Sequence, residues 1–175
     1  MTGAGALCAL ALVVPSGASA ACASTGGLTP ATVNECAPTA KARLLRDGEL
    51  IPPASAPPRV KAVIAAADRI RTKPYIWGGG HLNWTSPGYD CSGSVSYALH
   101  GGDFLDSPLP SGPMESWGLR GKGRWITVYA NAGHAYAVIA GFRWDTAGDA
   151  SGTGPRWHPE MLSNVGFVVR HPAGY

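Results

Sequence analysis

Five histidines and one isolated cysteine are the residues of this chain with the most chemistry to offer. Cys91 directly follows Asp90, a good N-cap residue, and precedes Val95, Ala98 and Leu99 at helical spacing. The sequence therefore predicts a helix that begins at Asp90-Cys91 and ends at His100-Gly101-Gly102. A thiol at the first position of a helix faces unpaired N–H groups and partial positive charge, which favour the thiolate. The same N–H groups can receive the negative oxygen of a tetrahedral intermediate. Ser92 and Gly93 keep the first turn small, so a substrate can approach the sulfur.

A thiolate nucleophile also needs a proton acceptor. Histidines stand at 81, 100, 134, 158 and 171. His100 ends the predicted helix and reads as a C-terminal capping residue, and His171 is near a chain end. His134 follows the turn Asn131-Ala132-Gly133 and opens the most hydrophobic run of the chain, Ala135 to Ala140. That context makes it the best candidate base of the five, although a histidine at a strand start is often structural. Asp145 lies eleven residues further on, beyond the Gly141 turn, where a hairpin would bring its carboxylate back toward the His134 ring. A surface hairpin aspartate fits the same spacing.

The elements that must position these residues follow from periodicity. Val60, Val63, Ile64, Ala67 and Ile70 predict an amphipathic helix over 59–72, stopped by Pro74. A glycine-rich turn, Gly78-Gly79-Gly80, leads into the helix that starts at Cys91. Residues 103–123 read as loop. Strand-like runs follow at Trp125–Ala130, His134–Phe142, Arg143–Asp145 and Val165–Arg170, with a Gly/Ser-rich loop at 147–155. Helices first and antiparallel strands after is the pattern of an α+β domain.

Three segments divide the chain. Residues 1–20 read as a signal peptide, with Leu7–Val14 as its apolar stretch and Ala18-Ser19-Ala20 as the small residues before cleavage. The apolar run is too short to anchor in a bilayer, so no stable membrane span is expected. No Lys or Arg precedes it. Lipidation of Cys22 is disfavoured, because Ser19 occupies the position where such sites want Leu. Residues 21–58 read as an accessory segment: Lys41–Leu50 as a helical turn or two, then a linker stiffened by Pro52-Pro53 and Pro57-Pro58. Residues 59–175 form the expected domain. In an oxidising compartment Cys22 and Cys36 can pair, which on the chain-entropy view is worth about 3 kcal/mol. Cys91 is then the odd cysteine, which calls for a reason.

Composition narrows the partners. The 175 residues carry 14 Lys and Arg against 11 Asp and Glu, an excess too small and too evenly spread to argue for nucleic acid. Cys91, His81, His134 and His158 lack the spacing of a metal site, and neither a metal nor another cofactor is expected. A monomer is expected.

Pro74-Tyr75-Ile76-Trp77-Gly78-Gly79 followed by Asp90-Cys91-Ser92-Gly93 resembles the P-Y-x-W-G-G and D-C-S-G signatures of the NlpC/P60 family of cell-wall cysteine peptidases. Gly133-His134 before a hydrophobic strand resembles the family's second signature. The resemblance covers roughly residues 60–146. It implies a papain-like α+β fold and hydrolysis of the amide between D-glutamate and a diamino acid in peptidoglycan stem peptides. It implies Cys91 as nucleophile, His134 as base and Asp145 as the third member. It also implies that Tyr75 binds substrate or the oxyanion, and that Asp90 and Ser92 line the pocket for the preceding stem residue. The chain departs from the family pattern at Ser94, where an apolar residue is usual, and at Gly123–Val128, where G-D-L-V is common. It departs again at Asp145, where the third residue is most often His. A related Cys–His enzyme, such as an N-acetylmuramyl-L-alanine amidase or an acyltransferase, fits the same residues. So does a non-catalytic wall-binding module using Trp77, Trp84, Trp117 and Trp157 as a groove.

Overall fold

Pro57 and Pro58 fix the entry to the first long helix, since proline at a helix start gives up only an N–H that has no intrahelical partner. The computed structural model describes Met1 and residues 41–148 and 153–175; apart from Met1 these all lie in one unit, Pro38–Tyr175. The expected signal peptide and the Cys22–Cys36 pair lie outside the described residues.

In chain order the elements are β1 (Arg43–Leu44), β2 (Leu50–Ile51), α1 (Pro58–Ile70), α2 (Cys91–Gly101) and α3 (Ser111–Met114), then β3 (Leu119–Arg120), β4 (Ile126–Ala130), β5 (Ala135–Ile139), β6 (Phe142–Asp145), β7 (Arg156–His158) and β8 (Val168–His171). The last six form one antiparallel sheet in the order β3-β8-β4-β5-β6-β7. Helices precede strands, so the α+β expectation describes the molecule.

α1 buries the face predicted from its periodicity, Val60, Val63, Ile64, Ala67 and Ile70. It packs on α2 at close range: a side chain on Gly101 would run into Ala66 of α1. α2 then rests on β5 and β6, whose inward residues Ala135, Ala137, Ile139 and Trp144 are fully buried. Trp144 Nε1 donates to the Ser94 carbonyl of α2 at 3.2 Å, so its one polar atom is satisfied inside the core. β5 and β6 are joined by the two residues Ala140 and Gly141, with φ of 50° and 88°, the double left-handed geometry of a type I′ hairpin.

Three expectations are corrected. Lys41–Leu50 forms no helix; β1 and β2 pair as a hairpin. Leu50 of that hairpin is 1% exposed and belongs to the same core as α1, so residues 43–51 are part of the folded unit rather than of a linker. Asp68 of α1 locks them there, accepting from the Leu50 N–H at 3.1 Å and from Trp157 Nε1 of β7 at 2.8 Å. The loop expected over 103–123 contains α3 and β3, and 156–158 adds an edge strand.

Candidate active site

Asp90 caps α2 as expected: its Oδ1 accepts from the Gly93 N–H at 2.7 Å. Its carboxylate does more than cap. Oδ2 accepts from the Gly78 N–H at 3.0 Å, both oxygens lie 3.0 Å from His81 Nε2, and the Ser92 hydroxyl donates to Oδ1 at 3.3 Å. The backbone completes the suture, with the Tyr89 N–H donating to Pro74 O at 3.0 Å and the Asp90 N–H to Gly79 O at 3.2 Å. Gly93 must be glycine, because a side chain there would strike the Gly79 carbonyl. The glycine-rich turn is thus pinned against the first turn of α2, and His81, not foreseen as a site residue, is one of the pins. Ser92 Oγ is also 3.2 Å from His81 Nε2.

Cys91 is the first residue of α2 and 8% exposed. Burial pushes its thiol up, but hydrogen bonds from His134 and from the Ala135 N–H, together with the His134 charge, outweigh burial and hold it below the ordinary thiol value. His134 immediately precedes β5. The turn before it is built by Asn131, whose side-chain oxygen accepts from the N–H groups of Gly133 and His134, each at 2.9 Å. His134 Nε2 lies 2.9 Å from Asp145 Oδ1, which leaves Nδ1 for the sulfur. The Asp145 hydrogen bond, then the Cys91 hydrogen bond, raise His134 from 6.5 to about 9 against the opposing effect of burial. At neutral pH the imidazole therefore favours its charged form, and its charge shifts the Cys91 thiol toward the thiolate.

Asp145 is completely buried at the end of β6. It is balanced by Arg143, two residues earlier on the same face of the strand, whose Nη1 binds Asp145 Oδ2 and donates to Ala147 O at 2.9 Å. The Ala147 N–H donates to Asp145 Oδ1 at 3.0 Å. The β5–β6 ladder pairs Ala137 with Trp144 and Val138 with Arg143, which sets Asp145 diagonally across from His134. Arg143 is the second residue missed from sequence. The signal was present, since an arginine and an aspartate at i and i+2 of a strand share a face.

Tyr75 is 37% exposed, joined to Tyr89 by an isolated bridge. Partial burial, then the charges of Cys91 and Asp90, push its hydroxyl pKa up, so it remains an O–H donor beside the sulfur. The tryptophans are dispersed: Trp157 is buried, Trp84 stacks on His100 with centroids 3.9 Å apart, and Trp117 packs partly buried against the core. Of the four, Trp77 is the exposed one, at 84%. His100 also bonds the Leu105 carbonyl through Nδ1 at 2.9 Å. Among the described residues, no group of three or more His, Cys, Asp or Glu could hold a metal ion, and no helix is long and apolar enough to cross a membrane.

No model of a known protein family matches the chain, and no curated protein matches it. Solved structures do. The peptidoglycan hydrolase RipB from Mycobacterium tuberculosis is 25% identical with a TM-score of 0.52, over 71% of this chain and 70% of that one. A variant of the Resuscitation Promoting Factor Interacting protein RipA is 25% identical with a TM-score of 0.49, over 64% of this chain. The match spans 61% of the RipA chain. RipD from Mycobacterium tuberculosis, a non-catalytic NlpC/p60 domain protein adapted to peptidoglycan binding, is 23% identical with a TM-score of 0.47, over 66% of this chain and 98% of that one. Helices packed on a central antiparallel sheet, with the D-C-S-G residues opening α2, give this chain the papain-like α+β fold of the NlpC/P60 domain proteins.

Proposed function

We propose that this chain is an exported cysteine peptidase that hydrolyses amide bonds in the stem peptides of bacterial peptidoglycan, with Cys91 as nucleophile, His134 as acid and base, and Asp145 orienting His134. The observation that carries the proposal is the unbroken chain Cys91–His134–Asp145 at the N-terminus of α2, with the thiol pKa lowered and the imidazole pKa raised. The likeness to RipB, a peptidoglycan hydrolase, supports the substrate class. The signal-like residues 1–20 support export and an extracytoplasmic location.

In this mechanism the Cys91 thiolate attacks the stem carbonyl, forming a C–S bond and a tetrahedral oxyanion. The Gly93 N–H is taken by the Asp90 side chain and the Ser94 N–H by the Asp90 carbonyl, at 2.9 Å. The Cys91 N–H and the Tyr75 hydroxyl are then the donors proposed for the oxyanion. His134 gives its proton to the departing amine as the C–N bond breaks. Water, deprotonated by His134, then cleaves the thioester and restores the thiol. Asp145 keeps the ring in place and stabilises its charged form throughout. Asp90, with its oxygens engaged by Gly78, His81, Ser92 and Gly93, shapes the wall of the substrate pocket chiefly by holding the 78–81 turn.

The test is digestion of purified peptidoglycan by the purified protein, with fragments identified by mass spectrometry. New ends at the D-glutamyl–diamino acid bond are the expected product. Equal release by Cys91→Ala would refute the assignment, and new ends at the N-acetylmuramyl–L-alanine bond would make the enzyme an amidase. A further expectation, the Cys22–Cys36 bridge, is checked by thiol titration of the native protein.

A further inference from the structure

The face of the sheet turned away from α2 carries Arg143 and Asp145 toward one edge and, beyond them, an aromatic patch that the catalytic reading does not use. The β4–β5 ladder pairs Thr127 with Val138 and Tyr129 with Tyr136. These four residues alternate with the core residues Ile126, Val128, Ala137 and Ile139, so they point away from α2. Residues 159–167 cross this face and are tied to it. Arg143 Nε donates to Glu160 O at 2.9 Å, Asn131 Nδ2 donates to Gly166 O at 3.4 Å, and the Phe167 ring meets Tyr136 edge-on at 5.2 Å. Between this segment and the strands lies a cavity of about 380 Å³.

That volume is within the range of small-ligand sites, and the lining is unlike a packing defect. Tyr129 and Tyr136 stack face to face, centroids 4.7 Å apart and 6° from parallel, with Trp125 beside them. Burial, then the neighbouring Tyr129, pushes Tyr136 up to about 12, and burial raises Tyr129 too, so both hydroxyls are neutral donors at any working pH. The two tyrosines cover each other's inner faces, so the cavity offers the Trp125 ring and the tyrosines' outer edges and hydroxyls, which suit a ring that is apolar on its faces and hydroxylated at its rim. The rest of the lining includes two cations, Lys122 and Arg124, and no carboxylate. They belong to the exposed run Arg120-Gly121-Lys122-Gly123-Arg124, three positive charges in five residues of a chain whose total is only +3.

We propose that this cavity is a second binding site, which takes one sugar ring of an anionic glycan against Trp125, Tyr129 and Tyr136 and its acidic group between Lys122 and Arg124. The site is on the opposite side of the sheet from α2; Tyr136 at its inner end lies 6.3 Å from the His134 ring, and sugar binding is read separately from Cys91 chemistry. An anionic polymer held there would keep the protein on a charged glycan matrix while the Cys91 face works.

The experiment titrates the full chain with N-acetylmuramic acid, N-acetylglucosamine 6-phosphate and neutral N-acetylglucosamine, following the Trp125 indole N–H by NMR. Saturable shifts are expected, with at least one charged sugar binding fivefold or more tightly than the neutral one. The preferred acid, carboxylate or phosphate, identifies which kind of glycan is held. The double variant Lys122→Ala/Arg124→Ala removes the advantage of the charged sugar while leaving Cys91 alkylation at the wild-type rate. Three results would overturn the proposal: no saturable shift with either acid, equal binding of the neutral sugar, or unchanged binding by the double variant.

Discussion

Replacing Asp145 by Asn tests the relay most directly, because it keeps the shape and removes the charge. In the native protein His134 is raised from 6.5 to about 9, which corresponds to about 3 kcal/mol favouring the imidazolium. The two hydrogen-bonded partners share that shift, and Asp145 is the larger contributor. If Asp145 accounts for about half of it, Asp145→Asn costs the imidazolium–thiolate pair roughly 1.5–2 kcal/mol, a factor of about 10–30 in the population of the ion pair. The variant also leaves Arg143, 2% exposed, facing an amide instead of a carboxylate. Removing one partner of a buried ion pair costs about 3–5 kcal/mol, moderated here because Arg143 keeps the Ala147 and Glu160 carbonyls.

The assay is the rate of iodoacetamide alkylation at Cys91, read by peptide mass spectrometry from pH 5 to 10, alongside a thermal melt at each pH. Native Cys91 should react at lower pH than an ordinary thiol. In the variant, the profile moves to higher pH and the rate at pH 7 falls about tenfold. The sign for stability follows from the raised histidine. Its stabilising contribution is complete below about 6.5 and is lost as pH rises through about 9, so the native Tm should decline over that window, and the variant's should decline less and at lower pH. Peptidase activity, which needs His134 protonated to release the amine, should fall on the alkaline side with a midpoint near 9. An alkylation profile unchanged by Asp145→Asn, in a variant that melts cooperatively, would refute the relay.

Three more perturbations probe the frame around the site. His81→Ala removes the side chain that bridges Asp90 and Ser92 and should cost about 1 kcal/mol of stability, with kcat/KM reduced but alkylation of Cys91 retained, measured by melting and turnover. Leu50→Ala should cost about 2–5 kcal/mol in urea unfolding if the 43–51 hairpin is core, whereas a linker residue would show no effect. Ala140→Gly relieves a left-handed backbone at φ 50° and should raise stability by up to about 1 kcal/mol, visible as a Tm a few degrees higher.

The parts of the fold that were legible in sequence are those where one periodicity dominates. α1 shows its buried stripe at three- and four-residue spacing, and α2 shows its cap. β4 and β5 were visible as hydrophobic runs, and the turn inside the run His134–Phe142 was visible at Gly141 but not at its first residue. Ala140 adopts positive φ without being a glycine, so only Gly141 marked the hairpin. The 43–51 hairpin was hidden for a different reason. Its strands are two residues each, and Leu50 is held by Asp68, eighteen positions away, a contact that no local pattern encodes. β7 lies between Pro155 and Pro159, and its three residues are too few to show an alternation. Its place at the sheet edge comes from Trp157 reaching the same Asp68.

The site divides along the same line between local and distant causes. Cys91 is positioned by its own neighbours: Asp90 caps the helix and Gly93 admits the 78–79 turn, so spacing alone could find it. His134 depends on Asn131 three residues before it, also local. What sequence spacing could not supply is the electrostatic support behind those two residues. Asp145 reaches His134 from a fully buried position, where Arg143 lies beside it with its remaining donors on the Ala147 and Glu160 carbonyls. Likewise Asp90 is held among backbone N–H groups and the imidazole of His81, brought from nine residues away. Each residue at the sulfur thus rests on a buried carboxylate, and each carboxylate on a donor set that the turn or the sheet assembles. Substitutions at Arg143 and His81, neither of which touches the sulfur, are therefore expected to change turnover through the carboxylates they hold. Rescue by the conservative variant Arg143→Lys should be poor, because a single ammonium cannot reproduce the forked contacts to Asp145, Ala147 and Glu160.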